Sequence, residues 1–158
     1  MLVITELSEA VEADRKSLRA DKMAMEYRMS DDTTFDDDFD FKTSFEELIK
    51  DTVEDELADT VIRLLDFAAL FNIEVTISDK NIRVRENLFM RKDFARIIFD
   101  ITAILIIYTD RCSPEKAICD TIAALFGFAK CLHIDLIWHI QQKMKYNELR
   151  PKMHGKKY

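Results

Sequence analysis

Four carboxylates in this chain are spaced so that they can act together. Glu6 and Glu9 stand three residues apart, and so do Glu56 and Asp59. Positions i and i+3 share one face of an α-helix, so each pair converges on one point. Two such helices side by side bring all four around a common space. Mg²⁺ is a hard ion that prefers oxygen ligands and keeps several waters. Four carboxylates facing a cavity therefore suit one or more Mg²⁺ ions holding a polyphosphate. Acid pairs at this spacing also occur on solvated helix faces, and for Glu6 and Glu9 alone that is the default. The second pair shifts the balance. At roughly 100° per residue, Glu56, Asp59 and Arg63 continue the line of Phe45, Leu48, Ile49 and Thr52, the face this segment is expected to bury. A buried carboxylate is costly unless it is paired, neutralised or bound to a metal. Arg63 can pair with Asp59 or Asp66 as a structural bridge, which accounts for one acid but not easily for Glu56 as well.

Other chemistries fit the residues less well. A di-iron carboxylate bundle needs Glu-x-x-His, and none of His133, His139 and His154 has a Glu three positions before it. His133 and His139 read as core-edge or surface residues. There is no glycine-rich phosphate loop and no local motif for a Ser, His and Asp set. Cys112, Cys119 and Cys131 are odd in number and none is spaced as CxxC. They read as buried thiols in a reducing cytosol rather than as a disulfide or zinc framework.

The elements that position the carboxylates are helical. The 158 residues are 48% apolar and include only two glycines and two prolines. That is too few turn residues for an all-β fold. One domain spanning 1–158, an all-α bundle of about five helices, is expected. The first helix keeps a 3.6-residue period from Val3 to Leu18 and is expected to run to about Met29. An acidic loop follows at about 30–43. Ser44 with Glu47 reads as a capping box that opens a second helix to about Phe71. Alternating Val75, Ile77, Ile82 and Val84 allow a short strand or hairpin within 74–85. A third helix is expected over about 86–109. Ser113-Pro114 opens a fourth to about Leu132, and a last runs over about 135–146. Phe-Ala followed by Ile occurs at both 67–73 and 128–134, a recurrence read as chance.

Charge narrows the partners. The formal net charge of −7 argues against a general nucleic-acid binder. Six aspartates crowd residues 31–40, whereas residues 143–158 carry six basic side chains against one acid, Glu148. The most apolar run, Ile97 to Tyr108, is interrupted by Asp100 and too short to span a bilayer. With no secretory signal in view, no membrane partner and a cytoplasmic location are expected. That run and Ile122 to Phe128 are expected in the core or at a subunit interface.

These residues also carry a family resemblance. Glu6-Leu7-Ser8-Glu9-Ala10-Val11-Glu12-Ala13 resembles the ExxE helix of MazG-like nucleoside triphosphate pyrophosphohydrolases. Glu56-Leu57-Ala58-Asp59 resembles their ExxD motif, and the run from Asp59 to Asp66 its continuation. Lys143-Met144-Lys145-Tyr146-Asn147, with Arg150-Pro151 and His154-Gly155-Lys156, is similar to the C-terminal signature of one branch. The resemblance covers about 2–72 and 134–157. It implies a helical homo-oligomer, dimer or tetramer, that cuts nucleoside triphosphates between the α and β phosphates. It implies Mg²⁺ held by Glu6, Glu9, Glu56 and Asp59, and phosphate held by Lys143, Asn147 and Arg150. Glu12 reads as a solvated neighbour. Three departures are visible. The gap between the acid motifs is long, residues 74–133 read as an insertion, and the helix that usually precedes ExxE is absent, as in an N-terminally shortened form. A catalytically silent interaction or nucleotide-sensing module with the same fold is the alternative.

Overall fold

The computed structural model describes residues 2–30 and 37–150. They form eight α-helices: α1 (Leu2–Arg15), α2 (Lys22–Met29), α3 (Asp37–Leu48), α4 (Val53–Leu70), α5 (Asp79–Phe89), α6 (Phe94–Arg111), α7 (Pro114–Cys131) and α8 (Leu136–Leu149). The all-α class expected from the sequence holds. The expected count of about five does not, because three expected segments are each broken by a turn.

The first break shows why. The helix expected to run to Met29 stops at Arg15, where Ser17 takes a left-handed φ of 57°. Leu18 N–H then donates back to the Ala13 carbonyl at 2.9 Å, and Ser17 N–H to that of Asp14 at 2.9 Å. These are the paired bonds of a Schellman stop, a place usually held by glycine. Asp21 restarts the chain by accepting from Ala24 N–H. Asn72 (φ 53°) and His133 (φ 58°) end α4 and α7 in the same way, through Ile73 to Ala68 and Ile134 to Ala129. Both copies of the Phe-Ala…Ile recurrence thus end in the same kind of helix stop that Ser17 makes.

The second expected helix also divides. Ser44 is not a cap; it lies buried inside α3. The chain turns at Asp51 (φ 61°), and Thr52 caps α4 by accepting from Asp55 N–H. Within the stretch read as an acidic loop, residues 37–43 are helical and Phe41 is buried against Phe45. Residues 31–36 lie outside the described residues. The alternation in 73–77 is real in burial, with Ile73, Val75 and Ile77 half-buried between exposed neighbours. No strand forms among the described residues, and Ser78 caps α5 instead. The third expected helix breaks between Phe89 and Phe94. α7 begins at Ser113-Pro114 as expected, and Asp135 caps α8.

One principal core joins Leu7 and Ala10 of α1, Leu57, Val61 and Leu64 of α4, Ile101 of α6, and Ile122, Leu125 and Phe128 of α7. Residues 74–133, read as an insertion, thus share the core with the acid-bearing helices. A smaller cluster of Met25, Phe41, Phe45, Ile49 and Tyr146 joins α2, α3 and α8. In the run from Ile97, Ile97, Ile98, Ile101 and Ile104 are buried while Phe99 and Ile106 are exposed. Among the described residues no single helix is long and apolar enough to cross a membrane. Contrary to the buried thiols expected, the three cysteines are all partly exposed. His139 is buried rather than at the core edge, and burial holds its imidazole down at about 4, hence neutral.

Gly127 marks a close approach of α7 to α5. A Cβ there would stand 2.7 Å from Arg85 Cβ and 2.8 Å from the Glu86 backbone nitrogen of α5. Alanine in mid-helix ordinarily gains up to about 1 kcal/mol over glycine. Here the clash with backbone reverses the sign. Gly127→Ala is expected to lose about 1–3 kcal/mol in urea unfolding, and an unchanged or raised stability would refute the tight contact.

Candidate metal centre

α1 and α4 pack along their lengths through Leu7, Ala10 and Ala13 against Val53, Leu57, Ala58 and Val61. They run antiparallel: Glu6 meets Arg63 near the far end of α4, while Glu9 meets Glu56 nearer its start. Every residue of α4 from Val53 to Val61 is buried, acids included. Glu54, Asp55 and Glu56 occupy its first turn, where the helix dipole favours negative charge. Glu54 has a structural partner: its carboxylate accepts from Ala20 N–H at 3.0 Å and fixes the turn between α1 and α2.

Three of the four expected carboxylates come together. Glu6, Glu9 and Glu56 offer ligand atoms that all lie within 4.8 Å of one another. The carboxylates of Glu9 and Glu56 make no ion pair or hydrogen bond among the described residues. Both line a cavity of about 290 Å³ with Glu12, Ala13, Lys16, Leu18 and Asp51. Glu12 is exposed and paired with Arg15 and Lys16, which fits the neighbour role.

Asp59 faces other partners. Its Oδ2 lies 3.5 Å from Lys143 Nζ and 3.7 Å from the Arg63 guanidinium. Arg63 Nε also donates to Glu6 Oε1 at 3.3 Å. Lys143, expected at the phosphate, is buried beneath α4 and donates to Asp55 Oδ2 at 2.8 Å. Asn147, one turn further along α8, and Arg150, the residue that ends it, line a separate cavity of about 380 Å³ with Ile62, Arg63, Asp66, Met144 and Glu148. Arg63 thus touches the carboxylate group and also the wall of this second cavity. Pro151, His154, Gly155 and Lys156 lie outside the described residues.

The electrostatics single out Glu56. Burial, reinforced by Asp55, Glu9 and Glu6, pushes its carboxyl up to about 8 against the opposing pull of Lys143. Burial and the nearby Asp59 also raise Glu6, although Arg63 pulls the other way. Asp55 is raised by burial despite the Lys143 ammonium beside it. Burial works against the charge on Lys143, but Asp55 and Asp59 outweigh it and hold the ammonium above its ordinary range. Asp55 Oδ1 and Asp59 Oδ1 are buried with no hydrogen-bond partner among the described residues. An orphaned polar atom of this kind costs about 1–3 kcal/mol. An acidic group with unsatisfied oxygens, disfavoured in its charged form, is short of positive charge, and the donor set is all oxygen. Both properties fit a hard divalent cation.

The sequence reading missed Asp51 and Asp55. Their only signal was proximity: Asp55 directly precedes Glu56 in a first turn of three acids. Which of the three faces the cavity depends on how α1 and α8 flank α4. No protein-family model, curated protein or solved structure matches this chain.

Proposed function

We propose that this protein is a Mg²⁺-dependent nucleoside triphosphate pyrophosphohydrolase of the MazG-like type. The observation that supports the reading most is the condition of Glu56, buried, unpaired and converging with Glu6 and Glu9 from a second helix. A surface acid pair would be solvated, and a structural one would have its cation. The geometry joins this to the ExxE and ExxD resemblance.

In this reading Glu6, Glu9 and Glu56 hold the ion, with Asp59 at the edge of the group. When bound, Mg²⁺ offsets phosphate charge and polarises the α-phosphorus. The protein's own groups do the rest. Lys143 pairs with Asp55 and Asp59 from below and offsets part of their charge. Lys16 at the cavity wall, and Arg63, Asn147 and Arg150 around the second cavity, supply charge and donors for phosphate oxygens. Water adds to the α-phosphorus and the bond to the bridging oxygen breaks, giving a nucleoside monophosphate and pyrophosphate. The same resemblance carries the expectation of a homo-oligomer, dimer or tetramer.

The test is product analysis on a panel of ribo- and deoxyribonucleoside triphosphates, with Mg²⁺ and with EDTA. Equal amounts of monophosphate and pyrophosphate are expected with Mg²⁺ alone. Loss of groups behind metal ligands typically costs 10–100-fold, so Glu9→Gln, which removes a ligand, is expected to lose at least about 100-fold. The engagement of Asp59 by Lys143 and Arg63 favours one second reading, a nucleotide-sensing module without turnover. Nucleotide binding with no product from any member of the panel would favour it.

A further inference from the structure

Residues 80–96 invert the charge of the chain. They carry six basic side chains, Lys80, Arg83, Arg85, Arg91, Lys92 and Arg96, against two acids, in a protein of net charge −7. The segment comprises α5, the turn after it and the start of α6. Lys92 and Arg96 share Asp100, and Arg85 reaches Asp120 only at 3.9 Å. Lys80, Arg83 and Arg91 make no ion pair among the described residues. Large apolar side chains stand among these cations: Leu88 is 53% exposed, Met90 68% and Phe99 63%. Between α5 and α6 lies an open groove of about 240 Å³, walled by Leu88, Phe89, Ala103 and Ile104 and edged by Arg85 and the Lys92–Asp100 pair.

A basic, apolar surface on an acidic chain is complementary to an acidic partner with an apolar anchor. The same sequence holds such a segment. Six of residues 31–40 are aspartates, with Phe35 and Phe39 among them. In the described part, Asp38 and Phe39 are exposed in the first turn of α3, Phe39 by 65%. Asp38 and Asp40 make no ion pair among the described residues. Carboxylates around an aromatic ring match arginines around an apolar groove: the ring is the anchor, and the acids meet the rim. The two surfaces lie on different parts of the fold. α3 packs on α2 and α8, whereas α5 packs on α7, and α6 on α7 and α1.

We propose that the groove between α5 and α6 receives the acidic start of α3, Asp38 to Asp40, from a second copy of this chain. Made reciprocally, the contact closes a two-fold pair; made in one direction, it closes a ring or runs on as an array. Both rims are exposed, so the contact weakens as salt screens them. Nucleic acid is the poorer occupant, because the acidic body around the patch repels phosphate. The proposal does not rest on the metal reading: neither face contains a carboxylate of that group, and either can stand without the other.

Sedimentation velocity of the full chain over a range of protein concentrations, at low salt and at about 1 M NaCl, tests this. The wild type is expected to show a concentration-dependent association step at low salt that high salt removes. Two charge reversals address the two faces, Arg83→Glu with Arg91→Glu on the groove side and Asp38→Lys with Asp40→Lys on the α3 side. Each double variant alone is expected to weaken the step by about tenfold or more. Mixing the two double variants is expected to restore it, since the reversed faces again match in sign. Restoration also shows that both variants are folded. A salt-sensitive step absent from the wild type, kept in either variant, or lost in both and not restored on mixing overturns the proposal.

Discussion

Glu56→Gln is expected to make the metal-free protein more stable and to remove its response to Mg²⁺. In the unfolded chain this carboxyl ionises near 4.5, whereas in the fold burial and neighbouring acids hold it to about 8. Between those values the native state binds more protons than the unfolded state, so stability falls as pH rises through that window. Below 4.5 the group is neutral in both states and costs nothing. Above about 8 the loss is complete. Glutamine keeps the shape and carries no charge to bury. The gain near pH 7 is on the order of 2 kcal/mol, and it vanishes as pH approaches 4.5. Mg²⁺ is expected to bind the native wild type, displace the proton and raise its stability by mass action, and to find one ligand missing in the variant. Urea unfolding at pH 5 and pH 7.5, with EDTA or Mg²⁺, checks both halves. A variant less stable than wild type in EDTA, or stabilised equally by Mg²⁺, would refute this account of Glu56.

Lys143→Met is expected to cost about 3–5 kcal/mol, because breaking a buried pair leaves charge behind without compensation. Here two carboxylates are stranded, Asp55 at 2.8 Å and Asp59 at 3.5 Å from the ammonium. Methionine retains the apolar stem, so the loss reports charge rather than a cavity. At about 2–4 °C per kcal/mol for a chain of this size, thermal unfolding drops by on the order of 10 °C. Adding Asp55→Asn to the Met variant should restore part of the loss. A loss below about 1 kcal/mol would mean that water solvates the pair, and that Lys143 is free to turn toward phosphate.

The two predictions separate what the sequence could reveal from what it could not. The convergence of Glu6, Glu9 and Glu56 was legible because i,i+3 spacing is a property of any helix; the burial of Glu56 was expected from a line through Phe45 to Thr52, which the turn at Asp51 separates from α4, so the outcome agrees but the line does not carry it. The cap at Ser113-Pro114 was legible for a similarly local reason. The breaks at Ser17, at Asp51 and between Phe89 and Phe94 were not. With only two glycines in the chain, ordinary polar residues take the left-handed positions at the first two, and nothing local distinguishes them from helix interior. The role of Lys143 was hidden for a different reason. Its spacing with Asn147 and Arg150 on α8 shows a shared face, but not that α4 lies across the first of them and leaves the other two at a cavity. Asp55 was passed over because three successive acids in one turn point in three directions, and only tertiary packing selects among them.

The most direct test of the central claim is anomalous diffraction from crystals grown with Mn²⁺ and a non-hydrolysable nucleoside triphosphate. The account predicts a peak among the carboxylates of Glu6, Glu9 and Glu56, with phosphate oxygens of the nucleotide on the same ion. Nucleotide or metal bound elsewhere, with no peak between those three side chains, would contradict it.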